Sequence, residues 1–115
     1  MKIALVGNQN SGKTTLFNLL TGKNQAVANY PGATVDFFIG TTKDANETFI
    51  DLPGINSLTP YSIEQDIATS YLLHEEVDLI LNVIDATQLE KGLYLTTQLV
   101  ELDIPVMVAL NMTDR

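Results

Sequence analysis

The chain has 115 residues, enough for one domain with a real core and too few for two. Its hydrophobic fraction of 45% and charged fraction of 17% describe a folded globular chain, and the absence of cysteine excludes a disulfide framework and a thiolate metal site. A net charge of -8 with six Lys and Arg excludes a nucleic-acid surface, no apolar run approaches the ~20 residues that span a bilayer, and the start is too short and too soon interrupted for a signal peptide, so the chain alone is expected to be soluble.

Short apolar runs alternate with longer amphipathic stretches, the pattern of an α/β fold with a mostly parallel sheet. Ile3 to Val6 reads as a buried strand, and Thr14 to Thr21 as a helix ended by Gly22. Asn24 to Ala33 reads as a loop. Val35 to Gly40 and Thr48 to Asp51 read as two strands joined through residues 43–46, the one antiparallel pair expected. Ser62-Ile63-Glu64-Gln65 is a capping box opening a helix whose Ile63, Ile67 and Tyr71 are expected to face a core. Leu79 to Ile84 is nearly all apolar, as a strand covered on both faces requires. A helix from about Gln88 to Leu102 follows, with Leu89, Leu93, Val100 and Leu102 available to pack, and Val106 to Leu110 forms the last strand. The expected order is β-α-β-β-α-β-α-β, with right-handed crossovers between parallel strands.

Three segments carry chemistry. Gly7-Asn8-Gln9-Asn10-Ser11-Gly12-Lys13-Thr14 matches G-x-x-x-x-G-K-[ST] between a predicted strand and a predicted helix. Its glycines let backbone N–H groups wrap a triphosphate, the helix start adds its positive dipole end, Lys13 supplies a point charge and the Thr14 hydroxyl a magnesium ligand. Asp51-Leu52-Pro53-Gly54 follows at a strand end, where ligands gather in open α/β sheets. There Asp51 can hold Mg²⁺ through water, and the Gly54 N–H can meet the γ-phosphate. Asn111-Met112-Thr113-Asp114 closes the final strand. Asp114 can accept from guanine N1–H and the 2-amino group, which selects GTP over ATP, while Asn111 braces the loop. Met112 stands where GTPases usually place lysine and can cover the base with the same apolar stem. Thr34, between the first helix and second strand, occupies the place of the switch threonine that ligates Mg²⁺ and senses the γ-phosphate. His74, Phe37, Phe38 and the Glu75-Glu76-Asp78 cluster read as scaffold.

With these motifs placed, the chain resembles the cytosolic G domain of the bacterial ferrous iron transport protein B family. The likeness runs through Gly7 to Asn18, Asn29-Tyr30-Pro31-Gly32-Ala33-Thr34-Val35, Asp51 to Gly54, Leu58-Thr59-Pro60-Tyr61-Ser62, Asp85-Ala86-Thr87 and the Met112 substitution. It implies a phosphate-loop NTPase of Ras-like G-domain fold that binds GTP and GDP and serves Fe²⁺ uptake on the cytoplasmic side of the bacterial inner membrane. Nucleotide contacts are implied for Asn8 through Thr15, for Gly32, Ala33 and Thr34, for Asp51 through Gly54, and for Asn111 through Asp114. Lys13, Thr34 and Asn10 are the implied catalytic residues, with Mg²⁺ on Thr14, Thr34 and Asp51. Asn10 matches the loop asparagine that holds K⁺ beside the phosphates in potassium-activated GTPases, where the cation does the work of an arginine finger. Ile55 falls where Ras-like enzymes place a water-orienting glutamine; a hydrocarbon cannot polarise water, so slow intrinsic hydrolysis with backbone positioning is expected.

The family's G domains continue past Asp114 with a helix, a strand and a closing helix, then a helical regulatory domain and a membrane permease. Ending at Arg115, this 1–115 partial G domain is expected to leave Val106–Leu110 as an exposed apolar edge inviting self-association. Two other readings are a soluble K⁺-dependent GTPase of ribosome assembly or tRNA modification, disfavoured by the acidic charge, and a GTP-dependent switch module without useful catalysis.

Overall fold

The strand β1 (Lys2–Gly7) is apolar on both faces, and that alone dictates a layer above and a layer below. In the computed structural model, which describes residues 1–29, 35–42, 44, 46–59 and 62–112, this is what forms. Ala4 and Val6 join one core with Ile50, Leu52, Ile67, Tyr71, Ile80, Leu95 and Leu99, while Ile3 and Leu5 join another with Phe17 and Phe49.

Chain order continues with α1 (Lys13–Thr21), β2 (Gln25–Asn29), β3 (Asp36–Thr41), β4 (Thr48–Asp51), α2 (Ile63–His74), β5 (Leu79–Asp85), α3 (Leu89–Leu99) and β6 (Val106–Asn111). Short 3₁₀ turns, Ala86–Gln88 and Val100–Leu102, flank α3. The six strands form one sheet in the order β2-β3-β4-β1-β5-β6. β1 runs parallel to β4 and β5, and β5 parallel to β6. β3 runs antiparallel to β4, as expected, and also to β2.

β2 differs from the expected loop over residues 24–33. Gln25-Ala26-Val27-Ala28-Asn29 is an edge strand exposed along most of its length, so no apolar alternation marks it, and the ladder offered by β3 makes it a strand. Residues 30–34 lie outside the described part.

Two helix faces also differ from expectation. Ser62 caps α2 by accepting from the Gln65 amide at 3.1 Å, as the capping box requires, but Ile63 sits at the exposed first turn. The buried stripe is Ile67, Ala68, Tyr71 and Leu72, with Tyr71 edge-on to Phe37 at 5.5 Å. On α3 the buried residues are Gly92, Leu95 and Leu99, whereas Leu89, Leu93 and Val100 are exposed and Leu102 is half-buried against the core. The reason is that α3 seats on β5 through a glycine, so the helix turns its smallest residue inward. Phe37 is buried and Phe38 sits at the margin of exposure, which places both in the strand rather than on a stacking platform.

The face carrying α1 is covered by that helix alone among the described helices. Leu19 and Met107 on that side, and Leu110 at the end of β6, are exposed, so the β6 edge is apolar as expected. Among the described residues no helix is long and apolar enough to cross a membrane.

Candidate phosphate-binding site

The site forms where β1 ends and α1 begins. Asn10 takes a left-handed φ of 65° and Gly12 one of 91°, which turns the chain sharply enough to aim the following amides inward. A Cβ on Gly12 would also land on the Asn111 amide nitrogen, with Asn111 Cγ at 3.1 Å. The α1 start has no side-chain cap and no acidic residue in its first turn. α2 is different: Ser62 caps it, and Glu64 and Asp66 lie in its first turn. A helix start left with orphan N–H donors at the mouth of a depression is an anion site. The depression has a volume near 360 Å³ and is lined by Asn8 through Thr15 and Gly54.

Three charged or polar groups converge beside it. Lys13 Nζ bonds Asp51 Oδ1 and, at 2.5 Å, the Leu52 carbonyl; Thr14 Oγ1 donates to Asp51 Oδ2 at 3.1 Å. Lys13 and Asp51 are both buried, so this is a desolvated ion pair made at the end of β4. The order of β1 and β4 in the sheet puts the carboxylate next to the loop, 38 residues away in sequence.

The rest of the loop is tied down by side chains. Asn111 at the end of β6 donates from Nδ2 to the Ser11 carbonyl at 3.1 Å. Ser11 is buried, and its hydroxyl has no hydrogen-bond partner among the described residues. Asn8, expected to touch nucleotide, turns its carboxamide to the segment after Gly54: Nδ2 donates to the Ile55 carbonyl at 2.9 Å and to Asn56 Oδ1 at 3.2 Å. The Ile55 amide returns a bond to the Gly7 carbonyl at 2.9 Å. Ile55 itself is 3% exposed, packed in the core and turned away from the depression. Gln9 and Asn10 are exposed on the loop, and Thr15 lines its outer wall. Leu52 is buried, Pro53 and Gly54 are half-buried at the rim, and Met112 is exposed just beyond Asn111. A wider groove near 680 Å³ runs from Asn10 and Thr15 along Leu16 and Leu19 to Asn111. Gly32, Ala33, Thr34, Thr113 and Asp114 lie outside the described residues.

Neither the tether from Asn8 Nδ2 to Asn56 Oδ1 nor the bond that the Thr96 hydroxyl donates to Asn82 Oδ1 is expected from the sequence. Asn82 did leave a signal, being the one polar residue in the run Leu79–Ile84.

A strand, a left-handed glycine loop, an uncapped helix start and a lysine-carboxylate-threonine cluster on an α/β sheet define a phosphate-loop NTPase fold of the G-domain type. The profile of the family described as Ferrous iron transport protein B matches residues 1–115. The Fe(2+) transporter FeoB of Escherichia coli K12 is 52% identical over 120 residues, covering 99% of this chain and 16% of that protein. Among solved structures, a GDP-bound NFeoB mutant of S. thermophilus is 57% identical, covers 97% of this chain and 44% of its own, and superposes with a TM-score of 0.93. The cytosolic domain of L. pneumophila FeoB is 49% identical, with 97% and 45% coverage and a TM-score of 0.91. The chain belongs to the ferrous iron transport protein B family. It spans about one sixth of the curated transporters it matches.

Proposed function

We propose that this chain binds GTP and GDP and hydrolyses GTP slowly, as the regulating or driving domain of ferrous iron uptake across the bacterial inner membrane. The observation that carries the reading is the uncapped α1 start beside Lys13, Thr14 and Asp51. Solved relatives with GDP bound support guanine as the base, and Asp114 is the residue assigned to read it.

Lys13 would exchange Asp51 and the Leu52 carbonyl for phosphate oxygens, with the α1 amides meeting the rest of the charge. Thr14, Asp51 and Thr34 are assigned to Mg²⁺, which when bound draws charge off the phosphates. Asn10, on the exposed turn of the loop, is assigned to K⁺. Because Ile55 is turned into the core, the water-positioning group belongs to the backbone around Gly54 to Asn56, which Asn8 holds. The helical regulatory domain and membrane permease of the intact protein are the partners, and the chain works on the cytoplasmic face. The exposed Met107 and Leu110 of edge strand β6 are the surface for self-association.

The burial of Ile55 favours a second reading, a nucleotide-dependent switch without useful turnover. GTP turnover measured in K⁺ and in Na⁺, alongside GTP binding by calorimetry, separates the two. Faster turnover in K⁺ supports the enzymatic reading; equal rates remove the role of Asn10. Tight binding with no turnover in either salt establishes the switch. Loss of ferrous iron uptake in cells carrying Lys13→Ala in the full-length protein would support the transport assignment; unchanged uptake would refute it.

A further inference from the structure

Asn82 lies at the centre of β5 with no exposed surface, in register with Val6 of β1. Its Nδ2 donates to the Val6 carbonyl at 3.2 Å, and its Oδ1 accepts from the Thr96 hydroxyl of α3. The orientation of this carboxamide is not arbitrary. A carbonyl can only accept, so Nδ2 must face Val6, which leaves Oδ1 toward Thr96 and obliges that hydroxyl to donate. The alternative acceptor for the Thr96 proton is the Gly92 carbonyl at 3.1 Å. α3 comes this close because Gly92 carries no side chain: a Cβ there would collide with Ile84, whose Cγ1 would lie at 2.9 Å.

Val6 immediately precedes Gly7, whose own carbonyl is held by the Ile55 amide. The foot of the phosphate loop is therefore pinned on one side by the segment after Gly54 and on the other by Asn82, which is in turn pinned by α3. A buried amide-hydroxyl pair of this kind is a poor device for stability, since replacing both partners by apolar groups of similar shape is nearly neutral. What it supplies is a fixed geometry, because one orientation of the carboxamide satisfies both the Val6 carbonyl and the Thr96 hydroxyl.

We propose that Asn82 and Thr96 are positioning residues for the phosphate loop: held by α3, they set the Val6 carbonyl at the foot of the loop. The proposal rests on the nucleotide-binding reading above. The test compares Thr96→Val, Thr96→Ser and the double variant Asn82→Leu/Thr96→Val, measuring GDP affinity by calorimetry and the urea midpoint separately. Thr96→Val removes the donor while keeping the shape, and weakens GDP binding by up to about fivefold, the limit set if the whole worth of one hydrogen bond is felt at the loop. Thr96→Ser restores it. In the double variant Asn82→Leu also strips the Val6 carbonyl of this donor, so GDP affinity falls at least as far as in Thr96→Val even where the urea midpoint partly recovers, a split that a merely structural pair cannot produce. Unchanged GDP affinity in folded Thr96→Val, or recovery of both quantities in the double variant, overturns the proposal. A wild-type chain that fails to bind GDP overturns the nucleotide reading itself, and this inference with it.

Discussion

Gly12→Ala is the most informative single perturbation of the loop, because two separable costs meet at one atom. The residue sits at φ 91°, where a Cβ crowds the backbone at about 1–2 kcal/mol. The same Cβ lands on the Asn111 amide, which must swing away and give up its bond to the Ser11 carbonyl, at about 0.5–1.5 kcal/mol. The sum is about 1.5–3.5 kcal/mol of folding stability, measurable by urea unfolding of the nucleotide-free chain. Asn111→Ala alone should give up the bond to the Ser11 carbonyl, about 1 kcal/mol. The double variant should then cost no more than Gly12→Ala, since the bond can be lost only once. The cycle should therefore show a coupling of about 1 kcal/mol, well outside the ~0.5 kcal/mol expected of independent sites. Additive costs, or a Gly12→Ala cost under about 0.5 kcal/mol, would refute the claim that Asn111 braces the loop against Gly12.

Three further outcomes are expected. Lys13→Ala leaves the buried Asp51 carboxylate with Thr14 as its remaining side-chain partner among the described residues, and should lower stability by about 3 kcal/mol even without nucleotide; a urea-midpoint change worth under about 1 kcal/mol would show the pair is not desolvated. Burial, with a smaller contribution from Glu75, raises the Tyr71 phenol above its ordinary value of 10.0. A raised folded value means that its contribution is complete below pH 10.0 and is lost as pH climbs through the folded value, so Tyr71→Phe should flatten the alkaline limb of stability against pH. Finally, Leu93→Gln on the outer face of α3 should change stability by less than about 0.5 kcal/mol, while Leu95→Ala on the inner face should cost about 2–5 kcal/mol; the reverse ranking would restore the discarded helix face.

What was legible in the sequence is what local chemistry decides. Apolar runs at Ile3–Val6 and Leu79–Ile84 announce central strands because both faces of each must be buried. Gly7 through Thr14 announces its loop because few other spacings let a backbone turn into a helix start. Where tertiary contact decides, the sequence was silent. β2 exists because β3 offers it a ladder, and nothing in Gln25–Asn29 alternates. The inward face of α3 is set by Gly92, the residue that counting large apolar side chains passes over. The Asn8 tether is likewise invisible, since its partners Ile55 and Asn56 lie 47 and 48 residues away.

The buried lysine-aspartate pair has a kinetic consequence. A chain with net charge -8 keeps Lys13 neutralised by Asp51 until a ligand displaces it, so the depression projects little attraction into solvent. An approaching polyphosphate meets the repulsion of the whole molecule first, over a screening distance of about 10 Å at 0.1 M salt. Association should therefore speed up as ionic strength rises, the opposite of an electrostatically steered pair, and magnesium-complexed GTP should arrive faster than the bare anion. Stopped-flow traces across a salt series would show the sign directly.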